Sequence, residues 1–244
     1  MEKEKAYKLL ALQENISNRV AKDLIDRGLV YSKGKKINVA RGLLEADSKF
    51  KIEKLVEPKI IFEDKYLIAV DKPAFLTSDE LALKYDAKLL HRLDKGTSGV
   101  VILVKDEEFR LRAVEEFKNR KVIKEYLAVV YGKIVEPITI DQPIMSIKKG
   151  NVSYSKIHNN GKDAITHIEP LMIEGKKSKI KVLIETGRTH QIRVHLKSIG
   201  FPIIGDSMYG GKENKRLMLH AHKISLLGYE FKSPEPKEFV RFES

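Results

Sequence analysis

The chain has 244 residues, 42% hydrophobic and 33% charged, enough for one large domain or for a small module joined to a mid-sized one, each with a packed core. The absence of cysteine excludes disulfides, thiol nucleophiles, zinc ribbons and iron–sulfur clusters, and no apolar run approaches the roughly 20 residues of a membrane span. Lys and Arg number 46 against 34 acidic residues, and the resulting net charge of +12 favours a polyanionic partner, because each neutralised phosphate releases condensed counterions.

Residues 1–8 alternate charges where a signal peptide has an apolar segment, so a cytoplasmic location is expected. Residues 1–54 are predicted as a helix–helix–strand module. Leu9, Leu10 and Leu12 mark a first short helix. Ser17 is the candidate N-cap of a second, with Val20, Leu24 and Ile25 as its apolar stripe and Gly28 as its stop. The period then shortens. Leu29 to Tyr31, a turn over 32–35 and Ile37 predict a tight hairpin, with a returning strand at 50–52. Residues 55–59, interrupted by Pro58, read as a linker, and a larger domain is expected over 60–244.

In that domain strands are predicted at 60–62, 66–70, 100–104, 126–130 and 180–184. Asp106 caps a helix running to Asn119, with Phe109, Ala113, Val114 and Phe117 on its buried side. Thr189 caps another that ends at Gly200. Runs of strands with occasional helices imply an α+β class with a largely antiparallel mixed sheet.

The set Ile16, Ser17, Arg19, Ala21, Leu24, Ile25, Gly28, Val30, Gly34 and Lys35 resembles the S4 RNA-binding domain, a small α/β fold. That resemblance places an RNA face on or beside the second helix and its hairpin, at Arg19, Lys22, Arg27, Lys33, Lys35 and Lys36.

His91-Arg92-Leu93-Asp94-Lys95-Gly96-Thr97-Ser98-Gly99 runs directly into the apolar segment 100–104. On the residues alone, Asp94 is either a nucleophile or base between two cations, or a loop aspartate making structural hydrogen bonds. No P-loop or dinucleotide fingerprint is present, and His190 and His195 lack the i, i+4 spacing of a zinc-protease pair. His220 and His222 can share a strand face, without an evident third ligand. No metal, nucleotide or redox cofactor is expected.

The same segment resembles the signature of the RluA-type RNA pseudouridine synthases, the RluC/RluD-like enzymes. Further segments follow in that family's order: Asp71-Lys72-Pro73-Ala74, Lys124 to Ala128, Gly161 to Ala164, Gly187 to Leu196, Gly205-Asp206 with Tyr209-Gly210, and Leu217 to Ala221. The resemblance implies isomerisation of selected uridines in structured RNA, large-subunit rRNA ahead of tRNA, by an enzyme expected to be a monomer without a membrane partner. It assigns Asp94 as the catalytic residue, Arg193 as its counter-charge, and Tyr126 as the ring that stacks on the target base and assists proton removal at C5. Leu219 is implied to line the base pocket, and Arg92 to stack where the extruded base had been. His91, Lys95, Arg188, His190 and Gln191 are its candidates for phosphate or backbone contact. A non-catalytic RNA-binding or ribosome-assembly protein and a small-molecule hydrolase are the competing readings. Against the first stand Asp94, Tyr126 and Arg193 together; against the second, the basic balance. One departure stands out: Phe75 occupies the position where the family commonly has glycine, and the stretch from there to His91 is short.

Overall fold

The computed structural model describes residues 2–149 and 152–240. The chain divides into two compact units, Met1–Glu57 and Pro58–Ser244.

In the first unit, strand β1 (Lys3–Lys5) leads into helices α1 (Ala6–Glu14) and α2 (Asn18–Asp26), followed by β2 (Val30–Ser32), β3 (Lys35–Lys36), β4 (Leu43–Glu45) and β5 (Lys51–Ile52). Ser17 caps α2, its hydroxyl accepting the Val20 N–H at 3.2 Å. Gly28 takes φ 73 just beyond the helix end, a conformation cheap for glycine alone. The buried face of α2 is Ala21 and Ile25 with Leu24 beside them. Val20 is exposed, so the predicted stripe is rotated by one position; Leu12 of α1 is likewise exposed. The hairpin forms as predicted, with sheet order β3-β2-β5 and Tyr31 opposite both Lys36 and Lys51.

The second unit begins with β6 (Lys59–Glu63), β7 (Leu67–Lys72), α3 (Ser78–Lys84), β8 (Lys88–Leu89), β9 (Ser98–Val104), α4 (Glu107–Lys118) and β10 (Ile123–Tyr131). It continues with β11 (Ile138–Asp141), β12 (Ile144–Lys149), β13 (Val152–Ile157), β14 (Ile165–Glu174), β15 (Lys177–Ile184), α5 (Gln191–Ser198), β16 (Leu219–Leu226), β17 (Tyr229–Lys232) and α6 (Lys237–Val240). Among the described residues its main sheet runs β11-β14-β15-β10-β16-β9-β7-β6, with β17 on β16 and β8 on β9. All pairings in it are antiparallel except β16 with β9, so the class is α+β with a mixed, largely antiparallel sheet. β12 and β13 form a separate hairpin.

Strand β9 is buried along its whole length because both sheet faces are covered. Val100, Ile102 and Val104 pack with Phe109 and Ala113 of α4, while Val101 and Leu103 pack with Leu81 of α3. A strand fixed on both faces gives the loop that feeds it a rigid anchor. Gly99, at φ 114, lets β16 approach: a Cβ there would lie 2.1 Å from the Ala221 carbonyl oxygen. α4 is capped by Asp106, whose carboxylate accepts the Phe109 N–H at 2.7 Å.

Helix α5 differs from expectation at its start. Thr189 does not cap it; the N-cap is His190, in the left-handed region at φ 55, and the helix runs from Gln191 to Ser198. Among the described residues no helix is long and apolar enough to cross a membrane.

Candidate active site

Three neighbouring strands bring the central residues together. Tyr126 on β10 pairs with Ala221 on β16, which pairs with Gly99 at the start of β9, and the loop carrying Asp94 enters β9 there. A register shift between Glu125 and Tyr126 accompanies this row, a local kink of the sort that re-aims side chains.

The Asp94 loop is braced from beneath. The Ser78 hydroxyl donates to the Leu93 carbonyl and accepts the Leu93 N–H, at 3.2 and 3.0 Å. The Lys72 ammonium, fully buried, donates to the carbonyls of Pro73, Leu76 and Lys95 at 3.0, 2.7 and 3.4 Å. Burial, reinforced by Arg216, brings its pKa down to about 7 against the opposing charges of Asp94, Glu80 and Asp71. Phe75 N–H closes the same bridge onto the Lys95 carbonyl at 2.8 Å. Phe75 has φ 72, so the departure from the family's glycine keeps a glycine-like backbone at this turn.

Arg193, in the first turn of α5, holds two carboxylates. Its Nε and Nη2 donate bidentately to Asp206 at 2.7 and 2.8 Å, and Nη1 donates to Asp94 Oδ2 at 3.0 Å. Burial opposes the guanidinium charge, but Asp206 and Asp94 outweigh it and raise the pKa further. The Asp206 side chain is 0% exposed and that of Asp94 is 29% exposed, so one carboxylate is structural and the other opens to solvent. His190 Nε2 lies 3.7 Å from the same Asp94 oxygen. The Tyr126 phenol is pushed above its ordinary pKa, by burial first and then by the Asp94 charge. That holds the phenol in its protonated form, which suits a donor or stacking ring better than a resident base.

The remaining sequence candidates separate from this centre. Arg92 is exposed and forms a fork with Asp79 on α3, at 3.0 and 2.7 Å. His91 turns inward: Nε2 accepts the Ile102 N–H at 3.2 Å, and burial with Lys124 nearby lowers its pKa to about 4. A neutral, inward-facing imidazole is a poor phosphate ligand, which corrects the expectation for His91. Gln191 is buried with both amide ends committed, accepting from Thr186 and from Arg188 N–H and donating to the Ile165 carbonyl and Thr166. It fixes the entry to α5 and has no spare polar group for RNA. Arg188 is half-buried and donates to the Asp163 carbonyl at 2.9 Å, while Lys95 contributes its carbonyl to the brace. Leu219 is 4% exposed within the main hydrophobic cluster. In the first unit, Arg19, Lys33 and Lys35 are exposed, Lys22 lies 4.3 Å over the Tyr7 ring, Arg27 pairs with Asp23 at 2.5 Å and Lys36 sits 5.8 Å over Tyr31.

Two residues of the centre, Lys72 and Asp206, do not stand out in the sequence as site residues. Both fall in segments that carry the family resemblance, and the signal they leave is a charge at the end of an apolar run, Leu67 to Val70 before Asp71-Lys72 and Ile203-Ile204 before Gly205-Asp206.

The sequence model of the RNA pseudouridylate synthase family matches residues 30–198. An uncharacterized RNA pseudouridine synthase of Helicobacter pylori strain J99 is 54% identical over 240 residues, covering 97% of this chain and 99% of that protein. The ribosomal large subunit pseudouridine synthase C of Rickettsia typhi is 36% identical over 217 residues, covering 78% and 72%. Among solved structures, human RNA pseudouridylate synthase domain containing 1 aligns with TM-score 0.66 and 27% identity over 76% of this chain and 87% of that one. The chain belongs to the RNA pseudouridylate synthase family and is an RNA pseudouridine synthase.

Proposed function

We propose that this enzyme converts uridines of large-subunit ribosomal RNA to pseudouridine, with Asp94 as the catalytic residue. The observation that carries the reading is the Asp94 carboxylate, open to solvent yet held at 3.0 Å by Arg193, which is itself clamped by the buried Asp206. The names of the Rickettsia relatives supply the ribosomal substrate class.

The isomerisation breaks the bond from ribose C1′ to N1, forms one from C1′ to C5, removes the proton at C5 and leaves one at N1, so nothing external is consumed. A carboxylate oriented by a guanidinium acts at the ribose, where it can bond to the sugar or take a proton from it. Tyr126 lies across Ala221 from the entry to β9, where its ring can stack on the detached base, and Leu219, two residues before Ala221, contributes apolar wall. Burial and the Asp94 charge hold the Tyr126 phenol protonated, and a protonated phenol cannot take the C5 proton without first giving up its own, so its part is to stack on the detached base and donate a hydrogen bond. Arg92 serves as the wedge only by releasing Asp79, an exposed pair worth little. Lys95, Arg188 and the exposed cations Arg19, Lys33 and Lys35 of the S4-like unit, with Lys22, Arg27 and Lys36 beside them, supply backbone contacts.

The test is transcript-wide pseudouridine mapping with and without the gene. Loss of one or more sites in large-subunit rRNA is expected. Loss confined to tRNA, with rRNA unchanged, overturns the substrate assignment.

A further inference from the structure

The Tyr209 hydroxyl sits at a junction to which the proposed reaction assigns no part. It accepts the Ser155 N–H at 2.8 Å, lies 3.1 Å from the Ser155 carbonyl oxygen and 3.0 Å from His190 Nδ1. Its ring, 5% exposed, meets the His190 ring edge-on at 5.7 Å and carries the Arg193 guanidinium 5.0 Å from its centre. Tyr209 therefore touches both groups that point at Asp94. Strand β13 secures the arrangement from the other side, the Ser155 hydroxyl donating to the Thr189 carbonyl at 2.7 Å, one residue before the left-handed His190.

A phenol has one proton, and here two acceptors compete for it. Donated to the Ser155 carbonyl, it forces His190 Nδ1 to carry a proton. A neutral ring then turns the Nε2 lone pair toward the Asp94 carboxylate, 3.7 Å away. Donated to His190 Nδ1, it leaves the proton on Nε2, aimed at Asp94 Oδ2. Electrostatics favour the second state, because it places a donor rather than a lone pair opposite a carboxylate. The charged and titratable groups facing His190 are Asp94, Arg193, Asp206 and the Tyr209 phenol. Burial lowers the His190 pKa, with Arg193 assisting and the two carboxylates opposing, so the ring is neutral around pH 7 and its tautomer decides what Asp94 meets.

We propose that Tyr209 is a positioning residue for the isomerisation: its hydroxyl fixes His190 as the Nε2–H tautomer, which together with Arg193 orients the Asp94 carboxylate toward the ribose. The inference rests on the assignment of Asp94 as the catalytic residue. It replaces the phosphate-contact role expected of His190 with one directed at the carboxylate, and it makes the β12–β13 hairpin part of the support of the centre.

The test is a cycle of single-turnover rates on large-subunit rRNA transcript, with RNA affinity and melting temperature measured in parallel, for wild type, Tyr209→Phe, His190→Gln, His190→Leu and Tyr209→Phe/His190→Gln. Tyr209→Phe and His190→Leu are expected to slow turnover about tenfold at unchanged affinity, since a misaimed catalytic group lowers rate rather than binding. The His190→Gln amide donates whatever Tyr209 does, so this variant should keep most of the rate and be indifferent to Tyr209→Phe. Gln as slow as Leu, or a full-speed Tyr209→Phe enzyme, overturns the inference. If Tyr209→Phe does not fold, the nitrogen chemical shifts of His190 in the wild-type enzyme decide: a proton on Nε2 is expected, and a proton on Nδ1 overturns the inference. An Asp94→Asn control separates the two levels: activity there sinks the Asp94 assignment, whereas an inactive control with a flat cycle sinks only the role of Tyr209.

Discussion

Around Arg193 one cation faces two carboxylates: the buried one, Asp206, holds the guanidinium in a bidentate pair, and the partly exposed one, Asp94, is the group proposed to act on the ribose. Asp206→Asn removes one partner of a buried charge, which is expected to destabilise the fold by about 3 kcal/mol and to slow turnover through a misplaced Arg193. Thermal denaturation checks the first part; an unchanged melting temperature contradicts it. His220 gives a second residue-level prediction. It is 1% exposed, bonded to Ser98 at 2.8 Å, and burial lowers its pKa from 6.5 to about 3. Because the folded pKa is depressed, the unfolded chain takes up the proton first. The stability it permits is complete above pH 6.5 and is lost as pH falls from there toward 3. Denaturant unfolding from pH 6.5 to 4 should show a flatter slope in His220→Gln than in wild type; parallel slopes contradict it. Asp94 and Arg193 are legible in the sequence because the resemblance carries them residue by residue. Asp206, Lys72 and Tyr209 are not: their roles come from burial and from partners distant in the chain, and neither leaves a period or spacing behind.

At the scale of elements, β9 and its loop anchor the centre. Gly99 meets two demands at once, a φ of 114 and an approach in which a Cβ would stand 2.1 Å from Ala221 O. Gly99→Ala must therefore push β16 from β9 and displace both Tyr126's neighbour and the Asp94 loop. Loss of soluble, cooperatively unfolding protein is expected, and a melting temperature within a few degrees of wild type contradicts this. The strands read from apolar runs, 60–62, 66–70, 100–104, 126–130 and 180–184, lie within β6, β7, β9, β10 and β15 apart from Tyr66; β7, β9, β10 and β15 lie inside the sheet and declare themselves in composition, whereas β6 is an exposed edge strand that happens to carry an Ile-Ile-Phe run. The hairpin β12–β13, strand β14 and helix α3 do not. β12 and β13 mix Lys and Ser with apolar residues, and the short α3 is set by a capping box at Thr77 and Glu80. The start of α5 departs from expectation because a threonine is the ordinary cap, whereas here the left-handed His190 takes that position and turns its ring to the site.

At the scale of the molecule, the two units divide the work as proposed: the second holds the reacting centre and the first holds an S4-like set of cations. The second unit has its own hydrophobic clusters around the main sheet, so a chain starting at Pro58 should fold. It should bind RNA more weakly, with a salt dependence shallower by about 0.7–0.9 for each phosphate that the missing cations would have neutralised. Equal affinity and slope for the full and shortened chains would remove the RNA-binding role from residues 1–54.

The most direct measurement of the Asp94 assignment is single-turnover pseudouridine formation by purified Asp94→Asn, with binding to the same transcript followed in parallel. A rate lower by about 10³-fold or more at near wild-type affinity is expected, since the neutral amide keeps the shape of the carboxylate and loses its nucleophilicity and basicity. Turnover close to wild type contradicts it.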